Sequence, residues 1–156
     1  MSADGAGDGP ALGPILINEG RFAGWSTWSA GSDPYETAIG PFCYRAEGER
    51  VRCAFEPRRE HLNGGSAIHG GALMSFADFA LFCIAHKALA GQKAVTLTCN
   101  AEFLSPGALG DIVEAEGEVL RATRSLIFVR GLISQASQPL LAFSGTLKKI
   151  RTGAEN

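Results

Sequence analysis

Apolar positions along the chain fall into two patterns, one continuous and one alternating. From Ala72 to Leu89 the sequence reads ALMSFADFALFCIAHKAL, and Gly91 follows as a stop signal. That run is too long for one strand and predicts a long helix opening at His69-Gly70-Gly71. Elsewhere the period is two. Val51, Cys53 and Phe55 alternate with Arg52, Ala54 and Glu56, so residues 42–57 predict a hairpin turning at Glu47-Gly48-Glu49. A loop from Arg58 to Ile68 leads into the helix. Beyond it, Val95, Leu97, Cys99, Ala101 and Phe103 alternate with Thr96, Thr98, Asn100 and Glu102 until Ser105-Pro106-Gly107 turns the chain. Three more β-like runs, at 111–122, 125–135 and 140–150, are separated by Thr123-Arg124 and Ser137-Gln138-Pro139. Strands on both sides of one apolar helix, with hairpin-length connections, give an α+β fold in which an antiparallel sheet wraps the helix.

Asp78 is the one carboxylate inside the helical run, among residues expected to be buried on almost every side. An ionised carboxylate sealed in apolar surroundings costs several kcal/mol. Asp78 therefore either pairs inside the core or borders a water-filled cavity, where perturbed acids do chemistry. The helix alone leaves both readings open.

At 156 residues, with 46% hydrophobic and 19% charged content, the chain is sized for one domain with a substantial core. A net charge of −2, and no basic cluster longer than Lys148-Lys149, argue against nucleic acid as a partner. Residues 1–20 are expected to form a mobile arm, residues 21–152 a single domain, and residues 153–156 a tail. The apolar run is shorter than the roughly 20 residues a bilayer requires and contains Asp78, so no membrane partner is expected. Cys43, Cys53, Cys83 and Cys99 have no CxxC spacing, which favours free, mostly buried thiols and a cytoplasmic location. His61, His69 and His86 form no HExxH pattern, so no metal is predicted. Gly64-Gly65 and Gly70-Gly71 fit no nucleotide phosphate loop.

Gly70 and Gly71 carry the candidate chemistry together with Asp78. Glycines at a helix start leave backbone N–H groups unpaired and unshielded, and the helix dipole adds to their pull on negative charge. Acyl transfer needs such donors where a carbonyl oxygen becomes an oxyanion; close packing of the helix end is the bland alternative. Asp78 lies seven or eight residues further on, about 10–12 Å along the helix, too far for one carbonyl to meet both. The two halves of a site are then expected from different subunits, and a two-fold dimer supplies two such sites. Cys83 and His86, spaced i,i+3, read as inert packing, and Ser66, Ser75 and Thr96 as hydrogen-bonding groups.

The segment Asn63-Gly-Gly-Ser-Ala-Ile-His69-Gly70-Gly71, then Asp78, Thr96 and NAEFLSPG at 100–107, resembles hotdog-fold acyl-CoA thioesterases. With GDIVEAEGEVL at 110–120 and TRSLIFVRGLI at 123–133, the resemblance covers roughly residues 42–150 and is greatest to the phenylacetic-acid-degradation (PaaI-type) branch. It implies a hotdog fold, an acyl-CoA substrate and hydrolysis to a carboxylic acid and coenzyme A, with no separate cofactor. In that family an HGG glycine donates to the thioester oxygen, the helical acid is nucleophile or general base, and the upstream Asn orients groups. Those roles map to Gly70 or Gly71 within the His69 motif, to Asp78 and to Asn63. Thr96 matches the strand residue that positions the water or the acid. Many members have proline after the Asn and glycine three residues beyond it, where this chain has Gly64 and Ser66.

Basic residues should rim the coenzyme A phosphates. Arg58, Arg59, Arg121, Arg124, Lys148 and Lys149 are candidates, with Arg124, Arg59 and Arg121 foremost. Phe76, Phe79, Phe103, Trp25 and Trp28 are expected to line the acyl pocket. The expected assembly is an obligate homodimer, paired as a dimer of dimers. A non-catalytic acyl-CoA sensor or carrier of the same fold is the alternative, and a hotdog hydratase or dehydratase a more distant one.

Overall fold

The computed structural model describes residues 13–29 and 32–150. Residues 1–12 of the expected arm, residues 30–31 and 151–152 of the expected domain, and the whole expected tail, 153–156, lie outside the described residues. Among the described residues, eight strands form one antiparallel sheet: β1 (Ile15–Leu16), β2 (Ser26–Thr27), β3 (Cys43–Glu47), β4 (Arg50–Phe55), β5 (Ala94–Phe103), β6 (Val113–Ala122), β7 (Leu126–Gln135) and β8 (Gln138–Lys149). Their order across the sheet is β1-β2-β3-β4-β6-β7-β8-β5. β5 therefore enters beside β8 and ends the sheet, with one edge unpaired among the described residues.

Helix α2 (Gly70–Ile84) packs across β4, β6, β7, β8 and β5 of the sheet. Leu73, Phe76, Ala77, Ala80, Leu81 and Cys83 bury against Phe55, Val113, Ile127, Val129, Leu141 and Leu147 of the sheet. Full burial of Phe76 or Leu81 contributes about 2–3 kcal/mol each. The sheet comes this close because side chains are missing at the points of contact. A Cβ added to Gly145 would lie 2.3 Å from Leu81 Cδ1, and one on Gly117 2.8 Å from Ile84 Cδ1.

The helical run breaks at Ala85, whose φ and ψ of −79° and −2° precede a short α3 (His86–Leu89). Ala90, at φ 49°, then ends it before Gly91. Two features outside the alternating pattern appear near the start. α1 (Pro34–Ile39) is capped by Asp33, whose Oδ1 accepts the Glu36 N–H, with Pro34 at its first position. β1 and β2 extend the sheet beyond β3, and there Phe22 and Trp25 pack on Cys43 and Ala54 in a second small core. No helix among the described residues is long and apolar enough to cross a membrane.

Candidate active site

α2 is not buried all round, as its composition suggested. Met74, Ser75, Asp78 and Phe82 recur at helical spacing as a half-buried stripe that escapes the sheet. Asp78 sits in the middle of it. From β5, Thr96 Oγ1 donates to Asp78 Oδ1 at 2.6 Å.

This contact depends on an irregularity that strict alternation missed. The β5–β8 register shifts between Thr96 and Thr98, leaving Leu97 as an extra residue. The bulge reverses the phase of the strand. Ala94 and Thr96 turn inward before it and Cys99 and Ala101 after it, whereas Val95 and Leu97 are 44% and 52% exposed. Without the bulge, either Thr96 or Cys99 would face away from the helix.

At the other end of α2 the two glycines differ. His69 is the N-cap, and its Nδ1 accepts the Gly71 N–H at 2.8 Å. The Gly70 N–H has no protein acceptor among the described residues. The pair is thus resolved: Gly71 is spent on the cap and Gly70 is the open donor. A Cβ on Gly70 would stand 3.1 Å from the Phe103 ring, so β5 also flanks this position.

The loop before the helix is built by Asn63, whose Oδ1 accepts from the Gly65 and Ala67 N–H groups at 2.8 and 3.2 Å. Ser66 stands at φ 65°, a left-handed conformation that glycine adopts freely, so the departure at this position keeps the turn at some strain. His61, only 4% exposed, braces the loop. Its Nδ1 accepts the Arg58 N–H at 2.8 Å, its Nε2 donates to the Ile39 carbonyl at 2.5 Å, and its own carbonyl accepts the His69 N–H at 2.7 Å. One buried imidazole thereby ties the end of α1 to the residue that caps α2.

Two hollows, of about 340 and 370 Å³, flank Asp78, and both are bordered by Asp33, Glu36 and Phe79. Trp28 and Phe82 line the first, and Trp28 stacks on Tyr44 with centroids 4.8 Å apart. Of the aromatic residues expected here, Phe79 and Trp28 are present. Phe76 is instead enclosed by Phe42 and Phe55, with no exposed surface. Trp25 packs in the second core and Phe103 stands over Gly70.

Glu36 was not foreseen. Burial, Asp33 and Asp78 push its carboxyl up to about 7. The position of an acid on a short helix far upstream is invisible to local pattern, although Asp33-Pro34 is a legible helix start. The Cys99 thiol, bordering one hollow, is raised by burial and by Asp78. All four cysteines are free. Burial and neighbouring charge push Cys43 up to about 12 and raise Cys83, so neither is a ready nucleophile.

Beyond the bulge end of β5 lies a basic hollow of about 1060 Å³, bordered by Lys93, Arg124, Lys148 and Lys149. Val95, next to Thr96, lies on its border. Of the phosphate-binding candidates it gathers Arg124, Lys148 and Lys149. Arg121 projects from β6, and Arg58 and Arg59 stand at the 3-10 turn beside His61, so these three are not brought to it.

Residues 65–142, half the chain, match the model of the thioesterase superfamily. The chain belongs to that family. It is 32% identical over 92 residues to acyl-coenzyme A thioesterase PaaI of Escherichia coli, a match covering 57% of this chain and 63% of that one. It is 28% identical over 98 residues to human acyl-coenzyme A thioesterase 13, covering 60% and 67%. A solved N33D mutant of the phenylacetic acid degradation protein PaaI from Thermus thermophilus superposes with a TM-score of 0.66 at 26% identity, covering 76% of this chain and all of that one. The chain spans slightly under two thirds of the length of the Escherichia coli relative. The fold of this thioesterase-superfamily member is the hotdog, and its affinity is to the PaaI-type branch.

Proposed function

We propose that this protein hydrolyses acyl-CoA thioesters to a carboxylic acid and coenzyme A, in a site shared by two copies of the chain. The observation that carries the reading is the 2.6 Å bond from Thr96 to Asp78, which holds a half-buried acid at the edge of a hollow lined by Trp28, Phe79 and Phe82 together with Asp33 and Glu36. The thioester carbonyl lies against the open N–H of Gly70 in one copy. Asp78 of the other copy takes a proton from a water whose oxygen attacks the carbonyl carbon, or attacks that carbon itself to form an acyl–aspartyl anhydride that water then hydrolyses. In either route the C–S bond breaks, and the thiolate of coenzyme A recovers a proton.

Asp78 lies eight residues beyond Gly70, about 12 Å along α2 and about 80° around it. A reacting carbon within about 3 Å of both groups is therefore incompatible with one helix. The unpaired edge of β5, ten residues long and carrying exposed Val95, Leu97 and Phe103, is the surface suited to the second copy. Strand pairing there would bring one copy's Gly70 and Phe103 toward the other's Asp78 and Thr96. Arg124 and its lysine neighbours supply the positive charge for the nucleotide phosphates. His69 acts through Gly71, and Asn63 through the loop shape, to set the direction of the Gly70 N–H.

A panel of aryl- and straight-chain acyl-CoA esters, assayed by thiol release, tests the reading. The wild type should turn over at least one class, and Asp78→Asn should lose at least about 100-fold in kcat while keeping its circular dichroism. Binding without turnover by the wild type would instead indicate a carrier or sensor.

A further inference from the structure

α1 brings a second carboxyl to the space around Asp78. Glu36 borders both hollows that Asp78 borders. Its Oε2 is sealed from solvent and has no hydrogen-bond partner among the described residues. The titratable groups around it are Asp33 and Tyr35 beside it in sequence, Asp78 and Cys83 on α2, Cys43 on β3 and Cys99 on β5. No Lys, Arg or His borders either hollow among the described residues. The only formal charges available to an acyl group there are negative, set among the apolar surfaces of Trp28, Phe79 and Phe82.

We propose that Glu36 is a specificity residue of this cavity: its carboxylate rejects acyl groups that end in a negative charge and confines the enzyme to thioesters of neutral acids. The inference rests on the thioesterase reading and deepens it. A carboxylate-bearing acyl chain entering beside Asp78 meets like charge in a poorly solvated space, with no cation among the described residues that border it. Because burial, Asp33 and Asp78 raise Glu36 to about 7, this repulsion is weak when Glu36 is protonated and strengthens as pH rises through neutrality. Asp33 and Asp78 border the same hollows and add like charge there.

Glutaryl-CoA and pentanoyl-CoA have acyl chains of equal length, one ending in carboxylate and the other in methyl. Their ratio of kcat/KM, taken at pH 6 and pH 8, cancels the titration of the coenzyme A phosphates and of groups that serve both esters alike. The wild-type ratio should fall about tenfold between those values, the effect of about 1.4 kcal/mol. In Glu36→Gln the ratio should be independent of pH and about tenfold above the wild type at pH 8. A wild-type ratio that does not change overturns the proposal, with or without a folded variant. An equal fall in Glu36→Gln also overturns it. If neither ester, nor any ester in the wider panel, is hydrolysed, the thioesterase reading itself fails.

Discussion

Proline in place of Gly70 would remove one N–H and little else. Gly70 is the first residue of α2, where proline's fixed φ fits and the missing N–H breaks no intrahelical bond. His69, which would precede the proline, already has φ −61° and ψ 136°, within the roughly +120 to +160° that a pre-proline residue prefers. The new ring would press on Phe103, whose Cε1 lies 3.1 Å from a Cβ at this position, so the aromatic ring has to give by only a few tenths of an ångström. Loss of one oxyanion donor lowers kcat by about 100- to 1,000-fold. Gly70→Pro should therefore retain its melting temperature and lose that much activity.

The decisive measurement mixes Gly70→Pro with Asp78→Asn chains, co-expressed in equal amounts so that subunits assort at random. If each site takes Gly70 from one copy and Asp78 from the other, about one site in four draws both intact groups, so the pool should recover about a quarter of wild-type turnover. The same fraction holds if the dimers pair further. If both groups of a site came from one chain, no site would be intact. A mixed pool no more active than its parents, with mixed assemblies demonstrated by two affinity tags, would refute the shared site. Activity of Gly70→Pro within about threefold of wild type would refute the donor role.

Two further outcomes follow from the same geometry. Thr96→Val deletes the donor to Asp78 at nearly constant volume; hydrogen bonds to charged groups contribute about 1.5–3 kcal/mol, so kcat/KM should fall roughly 10- to 100-fold while Thr96→Ser stays near wild type. Equal activity in Val and Ser variants would remove Thr96 from the site. Glu36 makes stability depend on pH: its carboxyl is raised from 4.5 unfolded to about 7 folded, so its contribution is complete below pH 4.5 and is lost as pH climbs through 7. The full shift corresponds to about 3 kcal/mol, which solvent screening of the partly exposed carboxyl reduces, and denaturant melts at pH 5 and pH 8 should show the wild type weakening relative to Glu36→Gln. Parallel pH dependence in the two proteins would contradict it.

The strands and the central helix were legible because alternation and a long apolar run are local signals. The hairpin expected at 42–57 is β3 and β4, and the three later runs are β6, β7 and β8 to within a few residues. The β5 bulge was not legible, since both phases of alternation present plausible faces until β8 fixes the register. Phe76 and Phe79 illustrate the same limit on a helix. Three residues apart, they look alike in sequence, yet only Phe79 reaches the hollow. The choice between Gly70 and Gly71 turned on the rotamer of His69. Glu36 required the tertiary contact of α1 with α2, which His61 helps to fix and no spacing announces.

The free edge of β5 bears on more than catalysis. A ten-residue strand with bare N–H and C=O groups and outward Val95 and Leu97 is a template on which any extended chain could add, and β5 has no proline within it. Its outer residues do include Glu102, at the far end, as a partial gatekeeper. A second copy laid along this edge would occupy the template and end its growth, since a two-fold contact closes on itself. Self-association would then guard the chain against amyloid-like strand addition as well as complete its active site, and the two pressures would act on the same ten residues.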